Sequence, residues 1–472
     1  MTIPAIKVLS QALLASAWAQ LLAPQGEPKA VPKPTPSLVG ITESRDAIEP
    51  GYYTVAISAE AEADPAWKAV ADALVAKHGG ERMVARVTFD AAKPESLIQP
   101  IRSAESRLLA VVLKPEQAGR AFVGGLHRAM RKIDEDPRSD LRWGVITART
   151  AAGAMRLVTD TKPLVARHAL GTADFPMGIF ASAVWWSEES AWHFTMHEES
   201  EGEPASPGTA KTERKTTSRT LDQDSIGKAV ADAINTRQID LVLTGGHATE
   251  RGLELGFRKP AGRLGPKDGA IAITCIDGAV LDINNESPKA WIGVGNCLIG
   301  NVDGPDSAAA MLVEDFGVRA HVGYVVVTWF GRAGWGTLKW FTEKPGAHTL
   351  HAAWTYNNDA IIDELVRRWP QLAEMNIGDV TFEGWLENDP DRFAAAVRRE
   401  AGDLVPEEEL KDLTGLFWDR DAVSYIGDPT WDIRSGPQPS SEPITSMPTV
   451  PVGGGPTKST LTPEPSGSPT RP

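Results

Sequence analysis

The sequence predicts an α/β fold made of two doubly wound subdomains, with helices on both faces of mainly parallel sheets. Two observations predict it. Short apolar runs of β-forming residues alternate with stretches of helical periodicity, the signature of a parallel sheet covered by helices. That alternation occurs twice, on either side of a polar segment.

In the first half the strand patterns are Tyr53-Thr-Val-Ala-Ile-Ser58, Met83-Val-Ala-Arg-Val-Thr-Phe89, Leu108-Leu-Ala-Val-Val-Leu113 and Leu141-Arg-Trp-Gly-Val-Ile-Thr147. Helical patterns fill 66–77, 95–103 and 117–132, and a further one from about 150 carries Ala154, Met155, Leu157 and Val158. The second half offers a helix over 224–236, the strand Ile239-Asp-Leu-Val-Leu243, a hairpin over 270–283 turning at Asp277-Gly278, the strand Ala290-Trp-Ile-Gly-Val294, a helix over 306–316 and a strand over 320–328. Between the halves, 198–219 is Glu, Ser, Pro, Thr and Lys with almost no large apolar side chain, and it reads as a polar flexible loop. The first subdomain is therefore expected over 52–197 and a second one over 220–434.

Both ends lie outside this pattern. Residues 8–22 are mainly apolar, and Ala17-Trp18-Ala19 offers small residues at cleavage spacing, so 1–19 is expected to be a signal peptide and the protein to be exported to a periplasm, cell envelope or medium. The same stretch also fits an amphipathic helix of a cytoplasmic protein. A Pro- and Lys-rich linker over 20–51 and a Pro-, Ser- and Thr-rich tail over 435–472 complete the chain. No later stretch reaches the ~18 apolar residues of a membrane span.

Hydrophobic residues make up 42% of the 472 and charged residues 23%, which are globular values. A formal net charge of −14 repels phosphate backbones and excludes nucleic acid as the expected partner. The two cysteines, Cys275 and Cys297, are too few for a disulfide scaffold and lack CxxC spacing.

Two strands of the second half end in glycine-rich corners that each bear a reactive side chain: Leu241-Val-Leu-Thr-Gly-Gly-His247 and Ile292-Gly-Val-Gly-Asn-Cys297. Ligands of open α/β sheets bind at the carboxyl ends of strands, so the two corners can face one substrate. His247 precedes Cys297 by 50 residues, about the spacing of the His–Cys pair in caspases. A thiolate is the strongest side-chain nucleophile near neutral pH, an imidazole can protonate the leaving amine, and the glycines leave main-chain N–H groups free to donate. Cys275 is the competing nucleophile, but its place in the predicted hairpin suits packing.

Gly295-Asn296-Cys297-Leu298-Ile299, with the following helix and Val318-Arg-Ala-His-Val-Gly-Tyr324, resembles the catalytic cysteine segment of gingipain-type cysteine peptidases. Thr244-Gly245-Gly246-His247 looks like their histidine segment. Ile133-Asp-Glu-Asp-Pro137 leading to Trp143-Gly-Val-Ile-Thr147 is similar to their first subdomain, and Tyr425-Ile-Gly-Asp-Pro429 to their closing motif, so the resemblance spans 52–434. It implies a caspase-like fold and a cysteine endopeptidase acting on protein or peptide substrates through a Cys297 thioacyl intermediate, with His247 as general acid/base. The alternative is a binding or scaffold protein that keeps the fold without turnover.

The resemblance also implies oxyanion donors at the main-chain N–H of Cys297 and of Ala248, where the family usually has Gly. It further implies an acid that orients the histidine, for which Glu188 or Glu189 stands in about the right region. Specificity is expected from Trp329, Arg332 and Trp335, whose segment has no carboxylate and suits an apolar or acidic residue better than a basic one. Asp303 and Asp306 follow Cys297, and Asp306 is expected to cap the next helix.

No cofactor is expected. His193 and His197 have zinc-like spacing only if helical, His348 and His351 suggest nothing, and the calcium that enzymes of this type often bind has no readable loop here.

Overall fold

The computed structural model describes residues 52–139, 141–160, 162–188, 192–200, 213–373 and 383–436. The expected leader, the linker and the tail from 437 onward lie outside the described residues, as does Glu189.

Among the described residues the first strands are β1 (Tyr53–Ser58), β2 (Val84–Phe89), β3 (Leu108–Val112) and β4 (Arg142–Ile146). Between and after them come the helices α1 (Pro65–Lys77), α2 (Arg120–Met130) and α3 (Ala151–Thr159). β1 and β3 are buried at every position, as parallel strands covered on both faces must be. The helix starts are written locally. Asp64 accepts the Ala66 N–H at 3.0 Å just ahead of Pro65, and Thr150 accepts the Gly153 N–H at 3.2 Å.

The chain continues through β5 (Leu164–Ala166), β6 (His168–Gly171), β7 (Ser182–Ser187), β8 (Trp192–Ser200), β9 (Glu213–Leu221), α4 (Gln223–Thr236) and β10 (Leu241–Thr244). A small antiparallel sheet follows, formed by β11 (Ala248–Thr249), β12 (Gly252–Glu254), β13 (Arg263–Lys267), β14 (Ala270–Thr274) and β15 (Val280–Asp282). The chain then returns as β16 (Lys289–Gly293), α5 (Ala308–Asp315), β17 (Val318–Tyr324), α6 (Arg332–Thr342) and α7 (Leu350–Arg368). It closes with α8 (Pro390–Ala401), α9 (Glu407–Arg420), β18 (Val423–Ile426) and β19 (Ile433–Ser435).

The protein is α/β, with one large, mainly parallel central sheet flanked by helices. Its order is β2-β1-β3-β4-β18-β17-β16-β10-β6-β7-β8-β9. β2, β1, β3, β4 and β18 run parallel to one another, while β17 is antiparallel to β18 and parallel to β16, β10, β6 and β7.

The two halves are thus blocks of opposite sense within one sheet, where two sheets were expected. β18 explains the difference. Buried throughout, it inserts between β4 and β17 and covers what would otherwise be an open edge on each block. Asp428, just after it, then ties this strand to the first half: Lys77 Nζ lies at 2.6 Å, the Tyr53 hydroxyl donates at 3.2 Å and His78 Nε2 lies at 3.4 Å.

Three expectations shift. β6 and β7 fall within the span assigned to the first subdomain, yet they sit beside β10 in the second block. The polar segment over 198–219 is not all loop: β8 and β9 pair antiparallel from Trp192 opposite Leu221 to Ser200 opposite Glu213. An edge hairpin is held by its backbone ladder and by β-branched residues such as Thr216, Thr217 and Thr220, so it needs no apolar run. At the far end the fold extends past the expected boundary, since Ser435 is buried in β19 and bonds to the Phe341 carbonyl. Among the described residues no helix is long and apolar enough to cross a membrane.

Candidate active site

β10 and β16 are parallel neighbours, with Thr244 opposite Gly293, so their carboxyl ends open on the same edge of the sheet. The Val294 N–H extends the pairing to the Thr244 carbonyl at 2.8 Å. One residue before each candidate side chain, Asn296 Nδ2 donates to the Gly246 carbonyl at 3.1 Å. The turns bearing His247 and Cys297 are therefore joined at their bases.

The chain runs from β6 outward to β7 but from β10 toward β16, so the strand order reverses between β6 and β10. Crevices of open α/β sheets form at such reversals. Thr172, just past β6, closes the floor there, its hydroxyl donating to the Gly245 carbonyl and accepting the Gly245 N–H, both at 2.9 Å.

His247 is exposed, and its ring stacks on Phe257 with centroids 4.8 Å apart and planes 15° from parallel. Gly246 turns the chain there at φ +117°, a conformation open to glycine. After His247, the Glu254 N–H donates to the His247 carbonyl at 2.8 Å. That bond makes Ala248 and Leu253 a non-hydrogen-bonded pair, so the Ala248 N–H points away from the β11–β12 ladder. Ala248 is absent from the positive-φ positions, so its methyl group meets no backbone penalty.

Cys297 is half-buried in a turn sharpened by Leu298 at φ +60°, a left-handed conformation costing about 1–2 kcal/mol in a non-glycine residue. The Leu298 N–H donates to the Val326 carbonyl at 3.1 Å, and the Thr328 N–H to Cys297 Sγ at 3.4 Å. Burial pushes the thiol up. The Thr328 and Cys297 N–H groups oppose this, and no cation contributes. Cys275 is buried at the mouth of the β14–β15 hairpin and its thiol is raised mainly by burial, which suits packing.

Glu188 does not bond to the imidazole. Its carboxylate accepts the Arg258 N–H and, at 3.0 Å, the Lys259 N–H, next to Phe257. Of the expected pocket residues, Trp335 is 43% exposed and leans over the cysteine turn, its Nε1 3.8 Å from where a Cβ on Gly295 would stand. Trp329 packs half-buried against the core. Arg332 gives its guanidinium to Asp412 and its N–H to Asp419, so its charge is already matched. Gly334 lets α6 reach the site at all, because a Cβ there would sit 2.2 Å from the Val294 carbonyl oxygen.

Ser307, and not Asp306, stands at the N-cap of α5, and its hydroxyl serves Asp303 at 2.7 Å. His193 and His197 lie on β8, where i and i+4 are roughly 13 Å apart, too far to share one ion. His351 is buried against the Trp143 carbonyl, and His348 packs on Trp340 and Tyr356. Among the described residues no group of three or more His, Cys, Asp or Glu could hold a metal ion.

Sequence reasoning missed Phe257, Thr172, Arg251, which bonds to Asp303, and Asp419, whose carboxylate accepts the Arg332 and Ala333 N–H groups at the start of α6. The one available signal was Glu-Leu-Gly-Phe257, an aromatic ten residues after His247 in a glycine-bearing loop.

The fold and these turns define a doubly wound α/β protein with a His/Cys pair of turns at strand carboxyl ends. No protein-family model matches the chain, and neither a curated protein nor a solved structure does.

Proposed function

We propose that the protein is a cysteine endopeptidase of the gingipain type, with Cys297 as nucleophile and His247 as general acid/base. The observation that carries the reading is the pairing of β10 with β16, closed by the Asn296–Gly246 bond one residue short of each candidate.

In this reading Cys297 Sγ attacks the scissile carbonyl, and the oxyanion takes hydrogen bonds from the Cys297 and Ala248 N–H groups. His247 carries the thiol proton to the leaving amine, and water then hydrolyses the thioacyl intermediate. A half-buried thiol whose pKa is raised fits an enzyme that forms its thiolate only with substrate in place. Trp335 supplies an aromatic wall beside the cysteine turn. With Arg332 matched by Asp412, an apolar residue suits the subsite better than an acidic one.

Incubation with acyloxymethyl ketone peptides followed by adduct mapping tests this. The expected result is labelling of Cys297 that is lost in His247→Ala; labelling of Cys275, or of neither cysteine, overturns it.

The same raised thiol, and the engagement of Glu188 by the Arg258 and Lys259 N–H groups in place of His247, favour a second reading, a binding or scaffold protein without turnover. A Cys297→Ala variant indistinguishable from wild type in every cleavage and self-processing assay selects it. Export is proposed on residues 8–22 alone, and an intact Met1 or Thr2 on protein from its native cell overturns it.

A further inference from the structure

An imidazole that must take and give a proton has to be held in one orientation, and carboxylates usually do this by bonding one ring nitrogen. Here the imidazole of His247 carries no hydrogen bond or ion pair among the described residues; what it has is the face of Phe257, 4.8 Å away and nearly parallel. Offset stacking of two planar rings fixes the plane of the imidazole while leaving both nitrogens open to the cleft.

The stack is useful only if Phe257 is itself fixed, and its loop is pinned on both sides. The Trp186 indole donates to the Leu255 carbonyl at 3.0 Å, and the Leu255 N–H donates to the Gly262 carbonyl at 2.8 Å, closing the loop at its base. Glu188 collects the N–H groups of Arg258 and Lys259, the two residues after Phe257. Gln223 holds the Pro260 carbonyl at 2.5 Å. Trp186 and Glu188 both stand at the end of β7, two strands from β10 in the central sheet. A rigid element therefore sets the plane of Phe257, and Phe257 sets the plane of His247.

We propose that Phe257, clamped through its loop by Glu188, is the positioning residue of His247, doing with an aromatic face what a carboxylate does elsewhere. This rests on His247 being the acid/base of the reaction proposed above. Glu188 thus acts on the histidine from a distance, through two backbone amides and a ring, and neither residue touches the reacting atoms.

The test has two arms on the full chain. By NMR of isotopically labelled protein, the His247 ring protons should lie upfield in wild type, shielded by the phenyl face. They should move downfield in Phe257→Ala, return in Phe257→Tyr, and shift part of the way in Glu188→Gln. In a peptide cleavage assay Phe257→Ala should lower kcat by roughly 10- to 100-fold with KM nearly unchanged, the signature of a misplaced reacting group, and Phe257→Tyr should restore it. His247 ring shifts that ignore Phe257, or a Phe257→Ala enzyme with wild-type kcat, overturn the proposal. If wild type cleaves nothing and Cys297 takes no label, the peptidase reading fails and the acid/base role given to Phe257 fails with it; the NMR arm then still shows whether the stack orients the ring.

Discussion

Arg251 grips Asp303 through both terminal guanidinium nitrogens, at 2.6 and 3.2 Å, and so fastens the hairpin after His247 to the turn after Cys297. The Ala308 N–H, at the start of α5, donates to the Glu250 carbonyl at 2.7 Å and makes a second fastening at the same place. Together with Asn296 on Gly246, these bonds set the relative position of the two candidate catalytic side chains from both ends of their loops.

Replacing Arg251 with Ala should therefore separate activity from stability. Both partners are more than a third exposed, so the pair contributes at most about 1 kcal/mol and the melting temperature should barely move. Turnover should fall roughly tenfold, because small displacements between reacting groups are costly. Unchanged kcat in a steady-state peptide assay would show that the fastening is irrelevant to chemistry.

The thiol makes a second prediction. Burial holds Cys297 above its ordinary pKa, so at pH 7 only a small fraction is thiolate. Alkylation by iodoacetamide without substrate should be slow at pH 7 and rise about tenfold per pH unit up to at least pH 9. A rate already on its plateau at pH 7 would reveal a resting thiolate–imidazolium pair. Cys275, buried and also raised, should react only on unfolding.

How much of this was legible in the sequence depends on what the signal was made of. The apolar strand runs and periodic helices gave β1, β3, β10 and β16 nearly to the residue, because burial on both faces writes itself into composition. The insertion of β18 between the blocks was not readable, since four buried residues near the chain end say nothing about which edges they cover. β9 was lost because a polar edge strand looks like a loop to any reading based on apolar content. At the site, the glycine corners placed His247 and Cys297 on neighbouring strand ends. The partners of Glu188 and Arg332 were unreadable because they are backbone amides and a distant carboxylate brought near only by tertiary packing.

Asp428 is the staple between β18 and the first half, and it should be costly to disturb. It is fully buried and surrounded by Lys77, His78 and Tyr53. Burial opposes its ionisation, yet His78 and Lys77 outweigh that and hold the carboxyl well below the usual carboxylate range. Asp428→Asn should cost about 1.5–3 kcal/mol in denaturant unfolding, because the buried bonds that Tyr53 and His78 make to the carboxylate lose their charged partner. A loss under 1 kcal/mol would mean that β18 is anchored by packing alone.

His321 gives the stability of the fold a pH dependence whose sign is fixed. It lies on β17, fully buried, with neither ring nitrogen bonded among the described residues, and burial pushes its imidazole down to about 3. In the unfolded chain it titrates near 6.5. Between about pH 6.5 and 3 the unfolded state therefore binds the extra proton, and the stability present above 6.5 drains away as pH falls, by up to about 1.4 kcal/mol per pH unit. His127 and His351, lowered by burial to about 4 and about 3, act in the same direction. Asp359 and Asp419, raised by burial to about 7, act in the opposite one, because between about 3.8 and 7 the folded state binds their protons more tightly. Comparing two proteins that differ only at 321 cancels those other groups. His321→Leu removes two unsatisfied buried nitrogens at similar volume, so at pH 7.5 it should be neutral or stabilising. From pH 6.5 to pH 4 its urea midpoint should fall less steeply than that of wild type. Parallel curves for the two proteins would show that His321 does not carry its proton deficit into the folded state.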